Sequence, residues 1–191
     1  MDKGKQSNLN LPNALTMLRL LLIPVFIWLM AADRMMSALV VFVFASLTDI
    51  LDGWIARKWN LVTDFGKLFD PLADKLMVLS VMAMHAIKGI APLAAILILF
   101  VKEALMLVGG LLLLKKQIVV YSQALGKMAQ FVTVIALVLC FFHEDFNRLG
   151  HPIHLWALWT GVGLALASFV YYANVNGRLI FSSDAKTRQG G

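Results

Sequence analysis

The chain is divided by short polar breaks into about six long apolar runs, and no other feature restricts its fold as strongly. A membrane-spanning helix needs about 20 consecutive, mostly apolar residues. Runs of about that length lie near 14–32, 36–57, 67–88, 91–114, 118–142 and 153–175. The pattern predicts an all-α, polytopic membrane protein with about six transmembrane helices.

Composition supports a membrane environment. Hydrophobic residues make up 60% of the 191 residues, against roughly 45–50% in ordinary soluble proteins. Such a chain cannot cover its apolar surface with polar side chains, so a bilayer has to replace water around it. The length favours one membrane-embedded domain over 1–191, with an interfacial lead-in at 1–13 and a cytoplasmic tail at 178–191.

The distribution of basic residues predicts an orientation. With a cytoplasmic N-terminus, 13 of the 17 Lys and Arg residues lie on the cytoplasmic side, and only Arg34, Lys88 and Arg148 lie on the other. Cytoplasmic loops are enriched in Lys and Arg, so both termini are expected there. The net charge of +6 then indicates contact with anionic lipid rather than nucleic acid, because the basic residues punctuate apolar runs instead of forming a stripe.

Four aspartates interrupt the second and third runs. Asp49 and Asp52 are spaced i, i+3 near the end of one run, and Asp70 and Asp74 are spaced i, i+4 near the start of the next. Each spacing puts its pair on one helix face. Because the link between the runs is short, the two faces can oppose each other. The sequence therefore predicts four converging carboxylates near the cytoplasmic surface.

This convergence is unfavourable unless cations accompany it. Four charged side chains in a membrane cost roughly 10–14 kcal/mol on insertion scales, comparable to the about 5–15 kcal/mol stability of a typical domain. Clusters made only of oxygen ligands suit Mg²⁺ or Mn²⁺, and paired metals suit phosphoryl chemistry. We therefore expect two divalent cations at the aspartates. The alternative, solvated loop charges and helix caps, accounts poorly for four aspartates at helical spacing.

Small and basic residues extend the pattern to Asp49-x2-Asp52-Gly53-x2-Ala56-Arg57-x8-Gly66-x3-Asp70-x3-Asp74. This stretch resembles the motif of the CDP-alcohol phosphatidyltransferases at every fixed position. The segment from Asn10 to Arg19 resembles bacterial phosphatidylglycerophosphate synthases of that family. The resemblance implies a six-helix fold, usually a homodimer, with its site open to the cytoplasm, and transfer of a phosphatidyl group from CDP-diacylglycerol to an alcohol with release of CMP.

The resemblance also implies roles for the residues of the motif. The four aspartates would hold two divalent cations against the CDP diphosphate, and Asp74 would also deprotonate the acceptor hydroxyl. Gly53, Ala56 and Gly66 would line the cytidine site, and Arg57 would face the diphosphate. The main reading is therefore a metal-dependent enzyme of phospholipid synthesis in a bacterial cytoplasmic membrane. A divalent-cation transporter is the alternative from another class, since acidic residues in spans also mark ion pathways.

The acceptor half of the pattern departs from the phosphatidylglycerophosphate synthases. Those proteins typically carry Arg-Glu in the fourth span, a further Arg seven residues after that Glu, and Gly-Lys-x-Lys-Thr before the fifth span. The corresponding residues here are Lys102-Glu103, Gly110 and Gly126-Lys127-Met128-Ala129-Gln130. The main hypothesis still has glycerol 3-phosphate as the acceptor. The candidate acceptor-binding residues are Lys102, Glu103, Lys115, Lys116 and Lys127.

Two alternatives stay open for this half. The stretch from Lys102 to Leu107 also resembles the Arg-Asp-x-x-Leu region of cardiolipin synthases, whose acceptor is phosphatidylglycerol. Lys102 and Glu103 could equally form a structural ion pair within the membrane. In the first run, Asn13, Thr16 and Arg19 are further candidates that could reach a nucleotide or lipid phosphate, although helix capping and snorkelling to the headgroups explain them equally well.

Overall fold

The computed structural model describes residues 11–59, 64–115 and 124–181, with most of their side chains. Over these ranges the regular structure is α-helical, without strands, which confirms the predicted all-α class. The helices are α1 (Leu11–Ala31), α2 (Met35–Lys58), α3 (Asp64–Ile87), α4 (Leu93–Lys115), α5 (Ala124–Cys140), α6 (His143–Arg148) and α7 (Ile153–Phe181).

Among the described residues, three helices are long and apolar enough to cross a membrane, over Asn13–Ala31, Leu93–Gly110 and Ile153–Val175. Two shorter apolar segments, Met35–Asp49 and Ala124–Cys140, lie in α2 and α5. α3 belongs to neither group, because its first twelve residues include five charged side chains. The helices agree with an integral membrane protein and place the predicted aspartates on its least apolar long helix.

The boundaries differ from the sequence prediction in three places. α1 begins at Leu11, inside the predicted lead-in, with Pro12 in its first turn, where a missing N–H costs no helical hydrogen bond. The predicted break before the sixth span contains the short helix α6. α7 continues to Phe181, past the predicted span end and into the predicted tail. No proline follows to stop it, and Gly177 lowers helix stability by only about 1 kcal/mol.

Contacts divide the chain into two compact units, 1–88 and 89–191. In the first unit, α1 packs against both α2 and α3, which also contact each other. The rings of Phe26 and Phe42 lie 6.4 Å apart in the buried core between α1 and α2. The α1–α2 turn is tight: Asp33 takes a left-handed φ of +58° and forms an ion pair with Lys88, just beyond α3.

In the second unit, α7 packs against α5, α4 and α6. The α5–α7 contact depends on small residues: a Cβ on Gly161 would lie 3.2 Å from Thr133 Oγ1 and 3.4 Å from its Cα. A Cβ on Gly126 would lie 3.3 Å from Ser168 Oγ. Close approach through small residues is a common way to pack membrane helices, where lipid offers no hydrophobic driving force.

Candidate active site

The aspartates lie on the predicted helices of the first unit. α2 carries Asp49 and Asp52 towards its C-terminal end, and α3 carries Asp70 and Asp74 in its N-terminal half. The carboxylates of Asp49 and Asp70 are close enough for their charges to repel each other. The predicted approach of the two helix faces is therefore present for this pair. The side chain of Asp52 lies outside the described residues.

Arg19 of α1 contacts this pair of carboxylates. Its guanidinium Nη1 lies 2.9 Å from Asp49 Oδ1. Arg19 is only 1% exposed, whereas Asp49 is 37% exposed. Snorkelling to the headgroups therefore does not describe Arg19. A buried guanidinium is favourable where a carboxylate balances its charge, and Asp49 supplies that charge from the neighbouring helix.

Thr16 makes the corresponding contact with the third helix. Its hydroxyl Oγ1 donates a hydrogen bond to Asp70 Oδ1. Thr16 is fully buried, one helical turn before Arg19, and Asn13 is buried one turn earlier. The three residues share one face of α1, because residues three apart lie close together around a helix. α1 therefore forms a third wall beside the aspartates on α2 and α3.

These α1 residues carry a weaker functional signal in the sequence than the aspartates do. Helix capping was one explanation, but Thr16 and Arg19 lie five and eight residues inside α1 and contact other helices. The available signal was the spacing itself: an apolar span carries three polar side chains at intervals of three residues. Such side chains need a polar partner inside the protein, and the nearest candidates in the chain are the aspartates.

The donor atoms at this place suit a hard divalent cation. Asp49 and Asp70 contribute carboxylate oxygens from two helices, and Asp74 is half-buried one turn after Asp70. Mg²⁺ and Mn²⁺ prefer such oxygen ligands. Among the side chains that the structure describes, no group of three or more metal-binding residues converges at one point. The donor chemistry therefore fits the predicted cations, while a complete ligand set is not formed by the described side chains.

The predicted CDP-binding residues occupy the same helix ends as the aspartates. Gly53, Ala56 and Arg57 lie in the last turns of α2, and Gly66 lies in the first turn of α3. Gly66 precedes Asp70 by about one turn. Their side-chain surroundings fall outside the described residues, so the structure reports only this backbone placement.

The predicted acceptor residues lie in or beside the second unit. Lys102 is buried on α4, and its Nζ lies 2.6 Å from Oε1 of Glu103. Lys127 is exposed near the start of α5. Lys115 ends α4 with its side chain outside the described residues, and Lys116 is outside them altogether. The ion pair offsets the charge of Lys102, which leaves Lys127 as the exposed cation among those described.

Comparison with known proteins identifies the family. The family model described as CDP-alcohol phosphatidyltransferase matches residues 9–167, most of the chain and both units. The chain belongs to this family. The match favours a transferase over a divalent-cation transporter, and it includes the α1 residues beside the aspartates.

Three relatives indicate the branch of the family. The CDP-diacylglycerol–glycerol-3-phosphate 3-phosphatidyltransferase of Bacillus subtilis is 31% identical over 191 aligned residues, covering 92% of this chain and 99% of the relative. The protein of the same name from Rickettsia typhi is 45% identical over 67% of this chain and 74% of its own. A CMP-forming cardiolipin synthase of Streptomyces coelicolor is 38% identical over 52% of this chain and 49% of its own.

Proposed function

We propose that this protein transfers the phosphatidyl group of CDP-diacylglycerol to glycerol 3-phosphate and releases CMP, as an enzyme of phospholipid synthesis. The observation that carries the proposal is the arrangement of α1, α2 and α3. Carboxylates from two consecutive helices approach each other, and buried polar side chains of a third helix bind them. Relatives named for this reaction cover most of the chain.

The aspartates are proposed to make the reaction metal-dependent. Asp49, Asp52, Asp70 and Asp74 would hold two divalent cations, Mg²⁺ or Mn²⁺, which when bound place positive charge beside the diphosphate. Gly53, Ala56 and Gly66 are proposed to contact the cytidine, and Arg57 the diphosphate. Asp74 would accept the proton of the acceptor hydroxyl, so that its oxygen can attack the β-phosphorus. Positioning and charge stabilisation account for most catalysis in such a transfer.

Glycerol 3-phosphate needs at least one cation to bind its phosphate. Lys127 supports this assignment because its side chain is exposed and is not neutralised by a described ion pair. Lys115 and Lys116 are further candidates by their position in the sequence. Lys102 and Glu103 bind each other, which favours a structural role for them over direct binding of an anionic acceptor.

Phosphatidylglycerol is the second candidate acceptor, which would make the protein a cardiolipin synthase. The relative from Streptomyces coelicolor favours it, as does the absence of a basic residue at Gly110. An acceptor whose attacking glycerol carries no terminal phosphate needs fewer cations. This alternative uses the same aspartates and differs only in the second substrate.

The protein is proposed to lie in a bacterial cytoplasmic membrane as a homodimer, with both termini and the aspartates facing the cytoplasm. The excess of Lys and Arg on the side of the N-terminus supports this orientation. It also suits the substrates, since a nucleotide-linked lipid and a sugar-alcohol phosphate both have charged head groups that stay on the aqueous side.

An acceptor panel tests the proposed function. Purified protein receives CDP-diacylglycerol and, in parallel, glycerol 3-phosphate, phosphatidylglycerol, inositol phosphate or serine, and lipid products are identified by mass. The proposal predicts CMP release with formation of phosphatidylglycerophosphate. Cardiolipin as the main product would identify phosphatidylglycerol, rather than glycerol 3-phosphate, as the acceptor. Absence of CMP with every acceptor would contradict both, and metal uptake by liposomes would then point to transport.

A further inference from the structure

The buried polar face of α1 has no explanation in packing alone. Asn13, Thr16 and Arg19 are all at least nine-tenths buried, although they stand in a helix apolar enough to cross a membrane. An apolar side chain at each position would pack without the cost of desolvation, which is about 2.5–3.5 kcal/mol for an arginine within a membrane. The polar face therefore points to a function at the groups it contacts.

Thr16 and Arg19 each contact one oxygen of a different aspartate carboxylate. Thr16 donates a hydrogen bond to Oδ1 of Asp70, and Arg19 forms an ion pair with Oδ1 of Asp49. The terminal torsion of an aspartate is soft, so its carboxylate plane turns easily unless one oxygen is fixed. A hydrogen bond from Thr16 and an ion pair from Arg19, both on a buried helix, therefore restrict the orientation of the two carboxylates.

We propose that Thr16 and Arg19 are positioning residues that fix the carboxylates of Asp70 and Asp49 for binding a divalent cation. This inference rests on the proposed function, which assigns a cation to these aspartates. Groups that hydrogen-bond to metal ligands typically change metal affinity or activity 10–100-fold when they are removed. Arg19 adds a positive charge that reduces repulsion between Asp49 and Asp70, whereas Thr16 orients its carboxylate without changing the charge.

Thr16 gives the cleaner test, because Thr16→Val removes the hydroxyl and keeps the shape of the side chain. We expect about 10–100-fold weaker Mn²⁺ binding, measured by electron paramagnetic resonance on the detergent-purified full chain without substrate. The Mg²⁺ concentration for half-maximal activity should rise by the same factor. At saturating Mg²⁺ the KM for CDP-diacylglycerol should stay unchanged and kcat should largely recover. Thr16→Ser keeps the donor and should bind Mn²⁺ like the unmodified protein.

Thr133→Val is the matched control. Thr133 is also a buried threonine, but its hydroxyl donates to the carbonyl of Ala129 on its own helix, in the other unit. Its Mn²⁺ affinity should remain unchanged. Melting temperatures of all variants separate loss of folding from loss of binding. Arg19→Lys keeps the charge and loses the planar fork of the guanidinium, so it provides a second test with an expected Mn²⁺ affinity below that of the unmodified protein.

The outcomes separate this inference from the proposed function. Weaker Mn²⁺ binding by folded Thr16→Val, restored in Thr16→Ser, supports the positioning role. Should Thr16→Val not fold, weaker binding by folded Arg19→Lys supports it. Unchanged Mn²⁺ affinity in every folded variant overturns the inference and leaves the proposed function intact. If the unmodified protein binds no Mn²⁺, the metal dependence fails, and the inference fails with it.

Discussion

The two units of this protein differ in the partners of their charged residues. In the first unit, polar contacts join different helices: Arg19 of α1 binds Asp49 of α2, and Thr16 of α1 binds Asp70 of α3. In the second unit, the ion pairs among described residues are local. Lys102 binds its neighbour Glu103, and Arg148 lies 3.8 Å from Glu144, one turn away on α6.

This difference indicates which unit fixes the relative positions of its charged groups. Contacts between helices fix the relative position of charged groups, as a site for cations and a diphosphate requires. The second unit is packed through small residues such as Gly161 against Thr133, while its described ion pairs lie within single helices. The first unit therefore resembles a built site, and the second a scaffold with an exposed cation at Lys127. Substitutions in both units test this contrast.

Replacing the proposed general base should have the largest effect. Asp74→Asn should lower kcat by about 10²–10⁴-fold, because it removes the group that accepts the hydroxyl proton. Binding of CDP-diacylglycerol should be largely retained. Asp33→Asn is the matched control, since it removes an exposed carboxylate from the α1–α2 turn and asparagine tolerates the left-handed backbone there. Equal turnover of Asp74→Asn and the unmodified protein would contradict the assignment.

The local ion pair of the second unit should matter for stability more than for binding. Lys102→Met leaves Glu103 partly buried without this partner, and breaking a buried pair costs about 3–5 kcal/mol. The double variant Lys102→Met/Glu103→Gln should be much closer to the unmodified protein in thermal unfolding. Its KM for glycerol 3-phosphate should be unchanged. A raised KM in this stable double variant would show that the pair binds the acceptor after all.

Lys127 should affect the acceptor alone. Lys127→Met should raise the KM for glycerol 3-phosphate about tenfold, because a charge-assisted hydrogen bond is worth about 1.5–3 kcal/mol and is weaker at an exposed side chain. The KM for CDP-diacylglycerol should not change. Arg148→Met, which removes another exposed cation of the same unit, provides the control. Equal effects of both variants would point to surface charge rather than to a binding residue.

Gly110→Arg should have the smallest effect, and it tests the departure from the phosphatidylglycerophosphate synthases directly. A Cβ at Gly110 meets no described atom within 4 Å, so the position can accept a longer side chain. An added cation near a bound phosphate should lower the KM for glycerol 3-phosphate by up to about fivefold. A lower KM for phosphatidylglycerol instead would favour the second candidate acceptor.

Sequence reasoning predicted the elements of the first unit well because its signals are local. Apolar runs located the helices, and the spacing of Asp49 and Asp70 relative to their neighbours predicted facing helix ends. The contact of Arg19 with Asp49 could not be predicted, because one run alone cannot show which helix lies beside it. Contacts between helices depend on packing, and this packing brings α1 against both α2 and α3.

In the second unit, the sequence predicted less for a related reason. The helix α6 stood in a polar break, where six residues are too few for a periodic signal. α7 continues past the predicted span to Phe181. The sequence offers no stop signal there, and the apolar pattern gives no positive signal for the continuation. The ion pair of Lys102 with Glu103 was foreseen as one of two alternatives, and only the side-chain geometry favours the structural one.

We propose that α1, α2 and α3 form a metal-dependent site for a CDP-linked lipid. The most direct measurement is CMP release from CDP-diacylglycerol by the purified protein, with glycerol 3-phosphate present, during a Mg²⁺ titration that starts from EDTA-treated protein. We expect no CMP without Mg²⁺, a saturable rise as Mg²⁺ is added, and loss of the activity in Asp70→Asn. CMP release at the same rate in EDTA, or in Asp70→Asn, would contradict it.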